Sequence, residues 1–180
     1  MADETETIAA LLDPATREQA FRRLIDETKR PLYGVIRKIV LDHDDTDDVL
    51  QNTYVKMYRA LPSFKGESRL FTWMYRIATN EALSFIRERS RRNGIRSSEY
   101  LDQAIVNLKA DSYFEGDEMA LLLQAAVATL PEKQRLVFQL KYFQELKYEE
   151  IAEITGTSVG ALKASYFHAV KKIEDYVTKH

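Results

Sequence analysis

YEEIAEITGTSVGALK, residues 148–163, has the spacing of a helix-turn-helix and sets the fold class of the chain. Ala152 is small where two helices cross closely, Gly156 can take the left-handed conformation that ends a helix, and Ser158 can cap the next one. Downstream, Val159, Leu162, Tyr166, Val170 and Ile173 recur at helical spacing as one apolar stripe. The remaining face carries Gly160, Lys163, Ala164, Phe167, His168 and Lys171, as a recognition helix would present to a major groove. His168 in that company reads as a DNA contact and not as a metal ligand.

Upstream of the motif, a helix is expected near Glu118 to Thr129, and Leu130-Pro131-Glu132 restarts the chain with proline in a first turn. Leu136, Val137, Leu140 and Phe143 then give the next helix its buried face, up to a short break at Gln144-Glu145. Before this block, Asn93-Gly94 ends an earlier one, and residues 93–116 lose periodicity while gaining Ser97-Ser98, Asp111-Ser112 and Gly116, which reads as a linker. Leu101, Ile105, Val106, Leu108, Tyr113 and Phe114 would be poorly solvated in a free tether, so the linker is expected to pack on something.

The earlier block ends in SFKGESRLFTWMYRIATNEALSFIRERSRR, residues 63–92. Rotation by about 100° per residue gathers Leu70, Phe71, Met74, Ile77, Ala78, Ala82 and Phe85 into a core stripe. Arg69, Trp73, Arg76, Asn80 and Arg87 fall on a second stripe, a π face among cations and an amide. Phe64-Lys65-Gly66-Glu67-Ser68 reads as a loop after Pro62. From Ser63 to Arg96 eight cations face three anions, a net +5, whereas Asp42, Asp44, Asp45, Asp47 and Asp48 make the preceding stretch acidic. A nucleic-acid protein with a second, protein partner needs such a division of charge.

Nearer the amino terminus, Asp13-Pro14 is expected to start a helix that carries Phe21, Leu24, Ile25 and Thr28, and Pro31 to bend or restart it before Leu32, Val35, Ile36, Ile39 and Val40. Thr46 is expected to cap a helix with Asp47 and Asp48 in its first turn, continuing through Val49, Leu50, Tyr54, Met57, Tyr58 and Leu61. Its polar face of Asp48, Gln51, Asn52 and Lys56 is free to meet a partner. His43 among the aspartates could be imagined as a metal site, but the other histidines, His168 and His180, are far away in sequence.

The 180 residues, 45% hydrophobic and 30% charged with a net charge of −2, suit one or two small domains. There is no cysteine, which excludes disulfides and thiolate metal sites, and no apolar run long enough for a membrane span or a leader, so the chain is expected to be cytoplasmic.

Taken together, the motifs resemble the extracytoplasmic-function group of bacterial sigma factors, in the sigma-70 family of RNA polymerase initiation subunits. The resemblance rests on DDVLQNTY at 47–54, SFKGES at 63–68, TWMYRIATN at 72–80, LPEKQRLVF at 130–138 and the helix-turn-helix, in that order. It implies an all-α fold: two small helical domains joined by a linker, the C-terminal one a helix-turn-helix. Residues 1–92 would bind core polymerase and the −10 promoter element, 93–116 would be the linker, and 117–180 would bind the −35 element. The resemblance assigns Asp47, Asp48, Gln51, Asn52 and Tyr54 to polymerase. It assigns Ser63, Phe64, Lys65, Gly66, Glu67 and Ser68 to a base-holding loop, with Arg69, Trp73, Arg76, Asn80 and Arg87 along the −10 DNA.

For the −35 element it implies Lys141, Ser158, Gly160, Lys163, Ala164, Phe167, His168 and Lys171. Here the chain departs from the family, which commonly has serine at the position of Ala164 and arginines at those of His168 and Val170. An anti-sigma partner is implied as well; catalytic residues, metals and cofactors are not. Two other classes compete: a dimeric helix-turn-helix regulator acting without core polymerase, which leaves the 63–92 surface unexplained, and a metal hydrolase at Asp42–Asp48, which lacks convergent ligands and an activated nucleophile.

Overall fold

Periodic apolar residues become helices throughout the computed structural model, which describes residues 4–96, 99, 100, 105 and 118–180; among these there is no β-strand. The N-terminal half comprises α1 (Glu4–Leu12), α2 (Arg17–Val40), α3 (His43–Ala60), a 3-10 turn (Leu61–Ser63) and α4 (Leu70–Arg92). The C-terminal half comprises α5 (Glu118–Ala128), α6 (Glu132–Phe138), a π turn (Gln139–Phe143), α7 (Tyr148–Thr155) and α8 (Val159–Lys179). In the first half α2, α3 and α4 pack on one another in all three pairings, and in the second α8 runs against α5, α6 and α7.

Local chemistry moves several helix boundaries from their expected places. Asp13-Pro14 forms a turn in which the Asp13 carboxylate accepts the Ala15 N–H at 2.9 Å, and α2 begins only at Arg17. Pro31 does not restart that helix: α2 runs unbroken from Arg17 to Val40, and its apolar face continues in register across the proline and is buried from Phe21 to Val40. Such burial outweighs the roughly 3 kcal/mol that an interior proline costs. Asp42, not Thr46, caps α3: its carboxylate accepts the Asp45 N–H at 2.9 Å, while the Thr46 hydroxyl is buried and donates back to the Asp42 carbonyl. Pro131 stands at the N-cap of α6, one position before its first turn.

One core runs through both halves. Leu32, Ile36, Met57, Met74 and Ile86 share it with Val137, Leu140, Leu146, Ile151, Ile154 and Leu162, while Ala126, Val127, Leu130, Phe138, Ala169 and Ile173 form a smaller cluster of the C-terminal half. The Gln139 amide donates to the Lys38 carbonyl, and the Lys38 ammonium lies 4.2 Å from the centre of the Phe143 ring, where burial lowers its pKa. Of the linker, Tyr100 is buried, with its hydroxyl donating to Asp45 at 2.7 Å, and Ile105 packs against the shared core. Ser97-Ser98, Leu101, Val106, Leu108, Asp111-Ser112, Tyr113, Phe114 and Gly116 lie outside the described residues.

Candidate nucleic-acid interface

The loop between the 3-10 turn and α4 is held at both ends. At its start the Phe64 N–H donates to the Leu61 carbonyl at 3.0 Å, and Gly66 adopts φ +71°, a left-handed conformation that glycine takes without penalty. At its end no side chain of the loop caps α4; instead Glu4 of α1 accepts the Leu70 N–H at 2.6 Å and lies 3.8 Å from the Arg69 guanidinium. The loop therefore sits on a fixed base made by two helices distant in sequence.

Above that base is an open cleft of about 500 Å³ lined by Ser63, Phe64, Lys65, Glu67, Ser68, Trp73, Arg76 and Glu153. Phe64 and Trp73 meet with ring centres 5.1 Å apart, and both are mostly buried, at 8% and 6% exposure. Trp73 thus leaves the open stripe on which helical rotation puts it: it forms the wall behind Phe64. Phe71 makes the opposite move, out of the expected core stripe to 37% exposure, with its ring 4.2 Å from that of Tyr75.

The remaining −10 candidates divide among neighbouring surfaces. Gly66 and Arg69 line a second cleft with Glu4, Glu150 and Glu153, and Arg69 is 3.5 Å from Glu150. Asn80 lies apart, in a hollow with Lys56, Ala60, Ile77, Glu81 and Ser84, where Lys56 and Glu81 are paired. Arg87 is engaged by Glu132 at the start of α6, a contact that raises its pKa. Exposed pairs of this kind contribute on the order of 0.2–1 kcal/mol each, so the apolar core, and not these pairs, holds the halves together.

Tyr75 belongs to that junction. Its hydroxyl donates to the Gln144 side chain at 3.1 Å, and burial pushes the phenol from 10.0 up to about 12. Because the folded value is the higher, the contribution of this group is complete below pH 10 and is lost as pH rises toward 12. Ultraviolet titration of tyrosinate should show the phenols of Tyr54, Tyr75, Tyr100 and Tyr166 titrating above the others; Tyr75→Phe should remove one of these late phenols, and unfolding by urea should return the rest to the ordinary transition near pH 10.

On α8 the Ser158 side chain accepts the Ala161 N–H at 3.4 Å, and Leu162, Ala169 and Ile173 turn inward. Gly160, Lys163, Ala164, Phe167, His168 and Lys171 are all exposed, Phe167 at 64%. Lys141 is not on this free face: its ammonium donates to the Leu146 carbonyl at 3.0 Å beside the Tyr148 ring. Gly156 ends α7 at φ +66°, with its N–H on the Ala152 carbonyl.

On α3, Asp48, Gln51 and Asn52 are exposed and Asp47 is half-buried, near His43 at 3.9 Å. Tyr54 is buried, its hydroxyl 3.1 Å from that of Thr28, and burial raises its pKa. Its neighbours Val55, to which the sequence reading gives no role, and Tyr58, expected in the apolar run of this helix, are exposed side chains of this face. Among the described residues no group of three or more histidine, aspartate or glutamate side chains is placed to hold a metal ion, and His43 instead lies 2.6 Å from the Tyr33 hydroxyl. No described helix is long and apolar enough to cross a membrane.

Comparison with known proteins fits this layout. A family model for sigma-70 region 2 matches residues 24–92, and one for sigma-70 region 4 matches residues 120–173. The RNA polymerase sigma-H factor of Pseudomonas aeruginosa is 32% identical over 173 residues, covering 87% of this chain and 86% of its own. The ECF RNA polymerase sigma-E factor of Escherichia coli K12 is 28% identical over 168 residues, covering 89% and 87%. Among solved structures, CnrH in complex with the cytosolic domain of CnrY has a TM-score of 0.71 at 20% identity over 99% of both chains. The sigma factor RpoE in complex with the anti-sigma factor NepR, from Bartonella quintana, has a TM-score of 0.67 at 21% identity over 88% of this chain and 96% of that one. The chain therefore belongs to the sigma-70 family, as an alternative sigma factor of the extracytoplasmic-function group.

Proposed function

We propose that the chain binds core RNA polymerase through α3, recognises the −35 element through α8, and opens the promoter by taking one base of the −10 strand into the cleft at Ser63–Ser68. The observation that carries this reading is the cleft itself, with Phe64 backed by Trp73, and with Lys65 and Arg76 on its rim. A flipped base gives up a few kcal/mol of pairing and stacking. An aromatic surface restores about 1–3 kcal/mol per base, and rim cations hold the phosphates. Binding alone is thus sufficient to capture one base, and the protein acts as a non-enzymatic factor.

Residues 1–92 serve the −10 element and polymerase in this reading, 117–180 the −35 element, and 93–116 connect them. Arg69, Asn80 and Arg87 extend the strand path along α4; Lys163, Phe167, His168 and Lys171 meet the −35 major groove, while Gly160 and Ala164 allow close approach. The protein works in the cytoplasm, and an anti-sigma factor restrains it by covering the same faces; the sigma–anti-sigma complex among its structural relatives motivates that partner.

The test is transcription by core enzyme on genomic fragments, read as start sites. Failure of the purified chain to direct specific initiation would sink the proposal. Within that assay Asp48→Arg, on the exposed face of α3, should weaken core binding about tenfold, as expected when like charges replace an attractive contact. Holoenzyme assembled at saturating concentration should then open promoters at the wild-type rate.

A further inference from the structure

We infer that α1 braces the loop of the cleft and that Glu4 is a positioning residue for strand capture: by capping α4 from outside, it fixes the end of the loop on which the shape of the cleft depends. The inference rests on reading that cleft as the site of the −10 strand. It concerns a helix that precedes the residues matched by the region 2 model, 24–92.

A helix leaves its first N–H groups without intrahelical partners, and a short polar side chain at the N-cap commonly accepts one of them. α4 has Arg69 at that position, a side chain with donors only, and it makes no cap. Glu4 takes over this duty from 66 positions away, accepting the Leu70 N–H at 2.6 Å. Its carboxylate also stands at the positive end of the helix dipole, 3.8 Å from the Arg69 guanidinium.

α1 is itself firmly held. Leu11 is fully buried and Ile8 packs on the core. The Arg17 guanidinium donates to the Leu11 carbonyl at 3.0 Å and to the Leu12 carbonyl at 2.9 Å, and the Thr16 hydroxyl donates to the Ala10 carbonyl at 2.8 Å, so the C-terminal end of the helix is capped by side chains. The same helix packs on the 3-10 turn at Leu61–Ser63. α1 thus touches the chain just before the loop and caps it just after. Between those points Lys65, Gly66, Glu67 and Ser68 hydrogen-bond to no other described residue.

The shape of the loop is therefore set at its ends, and with it the placing of Lys65 and Ser68 beside Phe64 and Trp73. Without the cap the first turn of α4 frays, and the loop samples shapes that do not accept a base. Strand affinity then falls with the fraction of chains that remain competent. Every group in this brace belongs to the N-terminal half.

The test uses the full chain in holoenzyme, with permanganate reactivity of unpaired thymines at a promoter mapped by its start site. Glu4→Ala should slow opening about fivefold, the population ratio that one lost N-cap represents. Core binding, and binding of the free chain to duplex carrying the −35 region, should not change. Glu4→Gln keeps an acceptor oxygen for the Leu70 N–H and should open within about twofold of wild type. Hydrogen exchange at the Leu70 amide, followed by NMR, should lose its protection in the alanine variant and keep it in the glutamine one. Because Glu4 acts through the loop, Glu4→Ala added to Phe64→Ala should slow opening less than twofold beyond Phe64→Ala alone.

An alanine variant that opens at the wild-type rate or keeps the Leu70 amide protected overturns the brace. So does a glutamine variant as slow as the alanine one, a loss of core binding in step with opening, or a defect that multiplies with that of Phe64→Ala. If Phe64→Ala itself opens promoters at the wild-type rate, the −10 reading falls and the brace with it; if Phe64→Ala is slow and Glu4→Ala is not, the brace alone falls.

Discussion

Phe64→Ala is expected to bind core polymerase within about twofold of wild type and to open promoters about 10- to 100-fold more slowly, the loss that one stacked base represents. The two assays separate because Phe64 lies in the cleft of α4, on a different surface from Asp48, Gln51 and Asn52 of α3. Permanganate reactivity of unpaired thymines measures opening, and competition for labelled core enzyme measures binding. Phe64 is also packed on Trp73 with rings 5.1 Å apart, so its truncation leaves a gap beside the indole. Phe64→Leu, which fills much of that gap without a π face, is the matching variant. It should restore thermal stability and leave opening impaired. Equal losses of binding and opening in both variants would show that the loop merely supports the fold.

Much of this site was legible in the sequence where the determinants are local. Gly156 ends α7 with positive φ and Ser158 caps α8, as residues with one conformational role must. The loop around Gly66 was legible for the same reason. Where two local solutions compete, spacing alone could not choose: Asp42 and Thr46 are both cap-forming residues, and the buried position of Thr46 decided for Asp42.

Rotation of α4 assumed a single buried face, yet Thr72, Trp73, Met74 and Tyr75 are buried in succession because α2, α3 and α7 all pack on this helix. For Tyr54 the two kinds of signal diverge: the resemblance implies a polymerase contact, whereas helical spacing puts it in the apolar run of α3, and its side chain is buried with its hydroxyl beside Thr28. Glu150 and Glu153 fall in the first helix of the helix-turn-helix, whereas the sequence reading gives no helix at Glu4, and nothing in their periodicity says that the three meet one loop at residues 66–69. That juxtaposition is set by how two separately patterned halves dock, which no local signal records.

The docking itself gives the second large effect. Leu140 is fully buried in the core that both halves share, whereas Ile173 belongs to the cluster of the C-terminal half alone. Truncation of such a leucine or isoleucine costs about 2–5 kcal/mol. Domains of this kind have roughly 5–15 kcal/mol of stability in all, so either variant is severe. Their distributions should differ. Leu140→Ala should accelerate hydrogen exchange in α4 as well as in α6 and α7, because removing its side chain weakens the contact between halves. Ile173→Ala should accelerate exchange in α5, α6 and α8 and leave α4 protected. If Leu140→Ala leaves α4 unchanged, the halves fold and open independently, and the shared core contributes nothing to their coupling. If α4 responds, the shared core couples the halves, and one substitution in the C-terminal half lowers the local stability of the N-terminal half as well.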